Sequence, residues 1–316
     1  MEFIDNQTIV NHYDFAKLID RLQAAFAESE IQVPMRHHHD FINPGHDDST
    51  LLLMPAFEPG KETGVKMVTV FPDNGRYQLP SIQGLYLLFD GQKGYCKKVF
   101  DAKAITVFRT AATSAMASRL LSRDNSESLM MVGTGALSPM LIRAHATVRP
   151  IKQVYIWGRH ASRAQAVKQS LADLKLEIQV VSSIEQGIAL ADIVSCATLS
   201  KTPLIKGEYL KPGQHIDMVG AYRPDMREAD DNCLKRSVIF VDHYAGATKE
   251  TGDIAIPLQK GIITRKDLKA DLFELCRGQK SGRDNVAEIT FFKSVGHALE
   301  DLVAAQLIDK LIEKKI

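Results

Sequence analysis

Hydrophobic and polar positions alternate in three different ways along this chain. Residues 7–27 place apolar side chains at helical spacing, which predicts one or two amphipathic helices. Between residues 50 and 99, apolar runs separated by Pro-Asp-Asn-Gly and Asp-Gly turns predict antiparallel strands joined in series. From 129 to 242, six short apolar runs alternate with helical patterns, which is typical of a doubly wound parallel sheet. A last amphipathic helix is predicted over residues 299–312.

These patterns predict an α/β protein with two domains. The alternating region indicates a Rossmann-type domain with a doubly wound parallel sheet. The antiparallel strands cannot continue a βαβ array, so they indicate a separate α+β domain. A chain of 316 residues is long enough for two domains of ordinary size.

The stretch between residues 129 and 139 contains a nucleotide-binding pattern. A buried-type apolar strand ends in Gly133-Thr134-Gly135, and a helix and a second strand follow within about 30 residues. The first glycine permits a tight turn, and the second lets the backbone approach a pyrophosphate at the helix N-terminus. Ser138 stands where the fingerprint has its third small residue. The alternative is a Rossmann-like turn whose glycines serve packing alone. The predicted dinucleotide ligands here are Gly133, Thr134, Gly135, Ala136 and Leu137.

The end of the second strand indicates which dinucleotide is bound. NAD sites usually carry an acidic residue there, which binds the ribose 2′-hydroxyl. This chain has Gly158, Arg159 and His160 instead, and a guanidinium suits a 2′-phosphate because it pairs with two phosphate oxygens at once. We therefore predict NADP(H) as the preferred cofactor, with NAD(H) as the alternative; an arginine that is merely exposed is the competing interpretation. The remaining predicted ligands follow strands: Arg159, His160, Ala197, Thr198, Val219 and Gly220.

Two cations in apolar or small-residue surroundings indicate an anion. Lys66 lies within an apolar strand, and a buried lysine is rare without a partner. That partner is either a structural carboxylate or the carboxylate of a substrate. Arg109 lies near the predicted start of an alanine-rich helix, where it is either an anion clamp or part of an interdomain salt bridge. His297 precedes the last helix and is either a substrate contact or a structural histidine.

Composition argues against several classes of function. A net charge of +1 gives no electrostatic argument for nucleic acid, and no apolar run is long enough for a membrane span. The four cysteines lie far apart and the adjacent histidines at 37–39 lack helical spacing, so we expect no metal site. The N-terminus lacks the pattern of a signal peptide, and scattered cysteines suit a reducing compartment, so a cytoplasmic protein is expected.

Several motifs, taken in order, resemble those of the ornithine cyclodeaminase/μ-crystallin family. They begin with Lys66 in Gly-Val-Lys-Met-Val-Thr-Val-Phe-Pro, Arg109 in Phe-Arg-Thr-Ala-Ala and Gly133 in Gly-Thr-Gly-Ala. They continue with residues 220–228, with Val241-Asp242 and Gly252-Asp253, and with Ser294-Val295-Gly296 before the closing helix. Single motifs are common, but this ordered set spans nearly the whole chain and is specific.

The resemblance implies a homodimer of two-domain subunits. Residues 1–112 with 292–316 would form the domain for substrate binding and dimerisation, and residues 113–291 would form the Rossmann domain. By match to the family's motifs, Arg36, Lys66 and Arg109 would hold the carboxylate of a small imino or amino acid substrate.

Two positions depart from the members that cyclodeaminate ornithine. Those members have an Asp where this chain has Tyr222 and a Glu where it has Leu52. Without the two acids, the carboxylates that exchange protons with the amine and bind the substrate ammonium are missing. The chain is more similar to the ketimine-reducing, NADPH-using members.

We therefore expect NAD(P)H-dependent reduction of a cyclic ketimine carboxylate to an amino acid. The substrates expected are Δ1-pyrroline-2-carboxylate and/or Δ1-piperideine-2-carboxylate, and the products are L-proline or L-pipecolate. The predicted catalytic residues are Lys66, Arg109, Tyr222 and His297, of which the last two are candidates to protonate the imine nitrogen. The alternatives are an ornithine cyclodeaminase or alanine-type amino acid dehydrogenase, and a non-catalytic, μ-crystallin-like, NADPH-dependent ligand-binding protein.

Overall fold

The computed structural model describes residues 2–28 and 30–314. The chain divides into two compact units, a first unit of Met1–Arg109 with His297–Ile316 and a second unit of Thr110–Gly296. The domain boundaries predicted from the sequence lie after residues 112 and 291. The roles assigned to those domains stay predictions.

The elements of the described residues are numbered here in chain order. The strands are β1 Glu2–Ile4, β2 His37–Phe41, β3 Ser49–Glu58, β4 Glu62–Val70, β5 Ile82–Asp90, β6 Cys96–Asp101, β7 Ser128–Val132, β8 Gln153–Trp157, β9 Glu177–Val180, β10 Ile193–Cys196, β11 His215–Met218, β12 Val238–Val241, β13 Leu268–Asp271 and β14 Thr290–Lys293. The α-helices are α1 Asn6–His12, α2 Phe15–Glu28, α3 Ala102–Leu121, α4 Leu137–Val148, α5 Ala161–Gln169, α6 Ile184–Leu190, α7 Asp231–Lys235, α8 Tyr244–Glu250, α9 Gly252–Gln259, α10 Leu272–Cys276 and α11 Ala298–Glu313.

Within the described residues, the first unit contains a six-stranded sheet in the order β1-β6-β5-β4-β3-β2. Strands β2 to β6 pair in antiparallel fashion, and β1 pairs in parallel with β6. The serial antiparallel strands predicted between residues 50 and 99 are therefore present. Helix α2 buries one apolar face because its large side chains recur every three or four residues. Helix α11 packs against α2, β3 and β4, so the last helix of the chain completes the core of this unit.

The second unit contains a parallel sheet in the order β13-β12-β14-β11-β10-β7-β8-β9. Every pairing in it is parallel, which confirms the predicted α/β class. Its central strands are buried on both faces, and Met130, Ile216 and Phe291 belong to one apolar core. This burial explains why those strands appear in the sequence as unbroken apolar runs.

The sequence pattern predicted six parallel strands that end at residue 242, but the sheet of the described residues contains two more, β13 and β14. Strand β13 lies at the sheet edge, and β14 lies between β11 and β12. Helix α10 and a longer irregular segment separate β14 from β13, and the place of β14 between β11 and β12 does not follow from its order in the sequence.

In the described part of the chain, no helix has both the length and the apolar character that crossing a bilayer requires.

Candidate active site

The turn after β7 brings two segments of backbone into contact at the carboxyl end of the parallel sheet. The five residues of β7 are buried, and the chain turns at Gly133 with a φ of +122°. A Cβ atom at Gly133 would lie 2.5 Å from the carbonyl oxygen of Ala197, so a larger residue would displace the backbone. The N–H of Gly133 donates to the carbonyl of Trp157 at 2.9 Å. These contacts fix the predicted nucleotide-binding turn between β7, β8 and β10.

Helix α4 begins directly after this turn. Its N-cap residue, Ala136, provides no side-chain acceptor for the first N–H groups. The side chain of Ser138 in the first turn is fully buried, and its hydroxyl has no hydrogen-bond partner among the described residues. A helix N-terminus attracts an anion such as a phosphate, because its N–H groups and its dipole both favour negative charge.

A cleft of about 300 Å³ lies beside the turn. Seven of the predicted nucleotide ligands line it: Gly133, Thr134, Gly135, Arg159, His160, Ala197 and Thr198. Four predicted ligands are not among the described residues of that lining. Ala136 and Leu137 lie at the start of α4, and Val219 and Gly220 are buried after β11.

The rim of the cleft is basic. Arg159, His160 and Arg163 are exposed around the start of α5. None of the described residues that line the cleft is acidic. Arg163 was not among the predicted ligands, which were restricted to residues directly after strands. Helix α5 begins at Ala161, so Arg163 lies in its first turn.

A buried carboxylate joins the ends of two neighbouring parallel strands. Glu228 Oε1 accepts hydrogen bonds from the N–H and the hydroxyl of Thr198, after β10, at 2.7 and 2.8 Å. Glu228 Oε2 accepts from the N–H groups of Gly220 and Ala221, after β11, at 2.7 and 3.0 Å. Glu228 has no predicted role of its own, because only the tertiary structure shows that its side chain reaches these strand ends.

In the first unit, the charges of two predicted substrate ligands, Arg36 and Arg109, act on the third, Lys66. Lys66 in β4 is 3% exposed, and its Nζ lies 2.9 Å from Oδ1 and 2.8 Å from Oδ2 of Asp301. The pKa of Lys66 is lowered to about 8, chiefly by burial and also by the positive charges of Arg109 and Arg36, while Asp301 opposes the shift. Asp301 is thus the structural carboxylate that the sequence analysis considered. A substrate carboxylate as a second partner stays a prediction.

Arg109 lies buried in the middle of α3, so its predicted place near the helix start was wrong. Its Nη1 donates to Glu300 Oε2 at 2.7 Å, and its Nε lies 3.0 Å from Asp301 Oδ1. Both carboxylates belong to the first turn of α11, within the same unit. These ion pairs are therefore not the interdomain salt bridge that was the alternative.

Together these groups form what we call the cation cluster: Arg36, Lys66, Arg109, Glu300 and Asp301. Lys66 and Arg109 pair with the two carboxylates, and the positive charge of Arg36 acts on Lys66. Both carboxylates are fully buried. Three cations that lie near one another offer the charged donors that a small anion would bind.

The two candidate proton donors lie in different units. His297 is the half-buried N-cap residue of α11, and its N–H donates to Glu300 Oε1 at 3.2 Å. Its ring lies 6.3 Å from the ring of Phe26. Tyr222 is half-buried after β11, and burial raises the pKa of its hydroxyl. The catalytic roles of both residues stay predictions.

The acidic partners in the cluster were also missed. Glu300 and Asp301 lie in the first turn of a helix, where acidic residues are common on exposed surfaces. The sequence therefore did not indicate that they are buried.

The described residues contain no group of three His, Cys, Asp or Glu side chains arranged to hold a metal ion.

Comparisons with known proteins agree with the predicted family. A model of the Ornithine cyclodeaminase/mu-crystallin family matches residues 2–315. Delta(1)-pyrroline-2-carboxylate reductase from Colwellia psychrerythraea is 35% identical over 323 residues, covering 99% of this chain and 100% of the relative. The structure of Thermococcus litoralis Delta(1)-pyrroline-2-carboxylate reductase in complex with NADH and L-proline has a TM-score of 0.93 at 30% identity, covering 100% of this chain and 98% of that one. An archaeal alanine dehydrogenase dimer with bound NAD has a TM-score of 0.91 at 26% identity, with coverages of 99% and 97%. The chain therefore belongs to the ornithine cyclodeaminase/mu-crystallin family.

Proposed function

We propose that this protein reduces a cyclic imino acid with a nicotinamide nucleotide, using NADPH in preference to NADH. The substrate is Δ1-pyrroline-2-carboxylate and/or Δ1-piperideine-2-carboxylate, and the product is L-proline or L-pipecolate. The observation that carries the proposal is the cation cluster, in which the buried Lys66 and Arg109 share Asp301 and the charge of Arg36 acts on Lys66. The similarity to two pyrroline-2-carboxylate reductases over nearly their whole length supports the same reaction.

The cation cluster would bind the substrate through its carboxylate. Arg36, Lys66 and Arg109 supply donors for charge-assisted hydrogen bonds, and guanidinium groups bind carboxylates at two points. A carboxylate fixed in this way also fixes the adjacent imine carbon. Holding two reactants in the orientation in which they react contributes a large part of the rate enhancement. Nearby positive charge withdraws electron density from that carbon and makes it more electrophilic.

The imine nitrogen must carry a proton for the reduction to occur. We propose His297 and Tyr222 as the candidate donors. Burial raises the pKa of Tyr222, so its hydroxyl keeps its proton near neutral pH. The N–H of His297 binds the carboxylate that also holds Arg109, which supports a place for His297 beside the cation cluster.

The second unit would hold the nucleotide. The pyrophosphate would bind at the turn of Gly133 and Gly135 and at the N-terminus of α4, where no larger residue than glycine fits at position 133. Arg159, with His160 and Arg163 beside it, would bind the 2′-phosphate of NADPH. The lack of an acidic side chain in the described lining supports this preference. The bound nucleotide would supply the hydride, and the protein would supply binding and orientation.

Steady-state assays with the purified protein test the proposal. Oxidation of NADPH and of NADH is followed with each imine, and pyruvate plus ammonia and ornithine serve as comparison substrates. We expect turnover of at least one imine and a lower KM for NADPH than for NADH. Turnover of neither imine would refute the proposed reaction, and a lower KM for NADH would refute the nucleotide preference.

A second candidate is an alanine-type amino acid dehydrogenase. The structural similarity to the archaeal alanine dehydrogenase favours it. Reduction of pyruvate plus ammonia faster than either imine would support this candidate. Ornithine cyclodeamination is disfavoured because Tyr222 and Leu52 replace the two acids of that reaction. Binding of NADPH without turnover of any substrate would favour a ligand-binding protein.

We also propose a homodimer. The archaeal alanine dehydrogenase that this chain resembles is a dimer, and the family resemblance implies the same arrangement. Light scattering on the purified protein measures the mass directly. A mass of 35.1 kDa, that of one chain, would contradict the dimer.

A further inference from the structure

We propose that Glu228 is a positioning residue for the nicotinamide half of the nucleotide. Its carboxylate fixes the backbone of Thr198 and Gly220, at the ends of β10 and β11, where that half would bind. This inference rests on the proposed function, because it concerns the same nucleotide site. It adds a residue that neither forms part of the glycine turn nor lines the cleft.

The order of the strands places the ends of β10 and β11 on one side of the glycine turn. Arg159 follows β8, which lies on the other side of β7. Ligands on parallel sheets bind beyond the carboxyl ends of the strands, with the pyrophosphate at the glycine turn. If Arg159 binds the adenosine half, the nicotinamide half extends towards β10 and β11.

The hydrogen bonds to Glu228 come from both of these strand ends. The donors are the N–H and Oγ1 of Thr198 on one side and the N–H groups of Gly220 and Ala221 on the other. The thiol of Cys196, the last residue of β10, donates to Oε1 at 3.1 Å. Five donors directed at one buried carboxylate leave the two strand ends little freedom to move independently.

Gly220 shows how tightly this region is packed. A Cβ atom there would lie 2.2 Å from the amide nitrogen of Thr198 and 2.6 Å from Glu228 Oε1. Thr198 lines the nucleotide cleft. A shift in the Glu228 carboxylate would therefore move the end of β10, on the side of the glycine turn opposite to Arg159.

Two further buried charged residues, Lys293 and Asp253, contact Glu228. Lys293 in β14 is fully buried, with its Nζ 3.9 Å from Glu228 Oε2 and 3.1 Å from Asp253 Oδ2. Asp253 Oδ1 accepts from the N–H groups of Glu228 and Ala229 at 2.8 and 3.0 Å. Buried ion pairs are weak evidence for stability, because packed apolar side chains often stabilise a core as well. Such a network holds its members in a defined position. Here it fixes Glu228, and through the carboxylate of Glu228 it fixes the ends of β10 and β11.

The test compares Glu228→Gln with a matched buried carboxylate in the same sheet. Glu228→Gln keeps the size of the side chain but directs an amide N–H₂ at backbone or hydroxyl donors. Asp217→Asn is the control. Asp217 is fully buried in β11 and accepts from Ser114 and Ser195 at 3.0 and 2.7 Å, but it lies within the strand rather than beyond its end.

Two ligands separate the halves of the nucleotide in calorimetric titrations. NADPH is compared with 2′-phospho-ADP-ribose, which lacks only the nicotinamide. In Glu228→Gln we expect unchanged affinity for 2′-phospho-ADP-ribose. The ratio of the two affinities, NADPH over 2′-phospho-ADP-ribose, should fall about tenfold. We expect kcat with the imine to fall about 100-fold, because small misplacements of reacting groups have large effects. Asp217→Asn should lower the melting temperature but leave the ratio of the two affinities unchanged.

Thr198→Val, which removes one of the donors, provides a second variant should Glu228→Gln not fold. It should lower the same ratio to a smaller extent. An unchanged ratio in the variants, or equal losses of affinity for both ligands, would overturn the inference. So would a wild-type protein that binds NADPH no better than 2′-phospho-ADP-ribose. A wild-type protein that binds NADPH but reduces neither imine would refute the proposed function alone, since the ratio of affinities would still test Glu228.

Discussion

Lys66 should lose its positive charge as the pH rises through about 8, and the affinity for a small carboxylate should fall with it. The cause is burial, which favours the neutral amine although Asp301 lies 2.8 Å away. Arg109 and Arg36 repel the ammonium further. An anion that binds in the cation cluster would offset this repulsion, so it should bind the protonated form of the protein.

The expected size of the effect follows from the pKa. The difference between the ordinary value of 10.5 and about 8 disfavours the buried ammonium by about 3 kcal/mol. Above pH 8, Lys66 must take up one proton when the anion binds. The Kd of the anion should therefore rise about tenfold for each pH unit. The two arginines stay protonated in this range. Tyr86, which is paired with Lys66 across β4 and β5, stays neutral because burial raises its pKa well above 10.

The effect on stability has the opposite sign. Between about pH 8 and 10.5 the unfolded chain holds a proton on Lys66 that the folded protein has released. The contribution of Lys66 to the free energy of unfolding therefore rises with pH in this window. A loss of affinity over the same range is thus not a consequence of a weaker fold at Lys66.

Calorimetric titration with pyrrole-2-carboxylate measures the affinity, because this mimic stays a monoanion in neutral and alkaline solution. Wild-type Kd should be constant up to about pH 8 and then rise with the slope given above. Lys66→Arg keeps its charge and should bind with little dependence on pH, whereas Lys66→Met should bind weakly at every pH. A flat wild-type profile, or the same slope in Lys66→Arg, would refute the reasoning.

Three further predictions concern the other site residues. Arg109→Ala removes the charged group that contacts the buried Glu300 and Asp301, so urea denaturation should show a loss of about 3 kcal/mol or more in the free energy of unfolding, and imine turnover should fall; unchanged turnover would contradict the role in binding. Arg159→Ser should raise the KM for NADPH about tenfold or more and leave the KM for NADH unchanged, because a serine cannot pair with a 2′-phosphate as a guanidinium does; equal changes with both nucleotides would contradict it. Gly133→Ala puts a Cβ atom 2.5 Å from a carbonyl oxygen at a φ of +122°, so it should destabilise the protein by about 2 kcal/mol or more in thermal unfolding. Gly135→Ala is the matched control, since its Cβ meets no atom within 4 Å; equal melting temperatures for the two variants would contradict the steric argument.

Local patterns were sufficient to predict much of this protein. The unbroken apolar run before Gly133 predicted a strand buried on both faces, and the two glycines predicted the turn that follows it. Lys66 and Arg109 were identified as cations in need of an anion, because a charge in an apolar run is unusual wherever the run is placed. The ordered motifs predicted the family, which the comparisons confirm.

Local residue patterns were thus enough to predict the class of fold, the glycine turn after β7 and the cations of the cluster. The groups that these residues contact follow only from the folded chain. Lys66 meets Asp301 across 235 residues of sequence and Arg109 meets Glu300 across 191, while β14 enters the sheet between two strands that precede it. Helix and strand periodicity reflect the geometry of a few neighbouring residues. The partner of a buried charge depends on how distant segments fold together, and a local pattern contains no record of that.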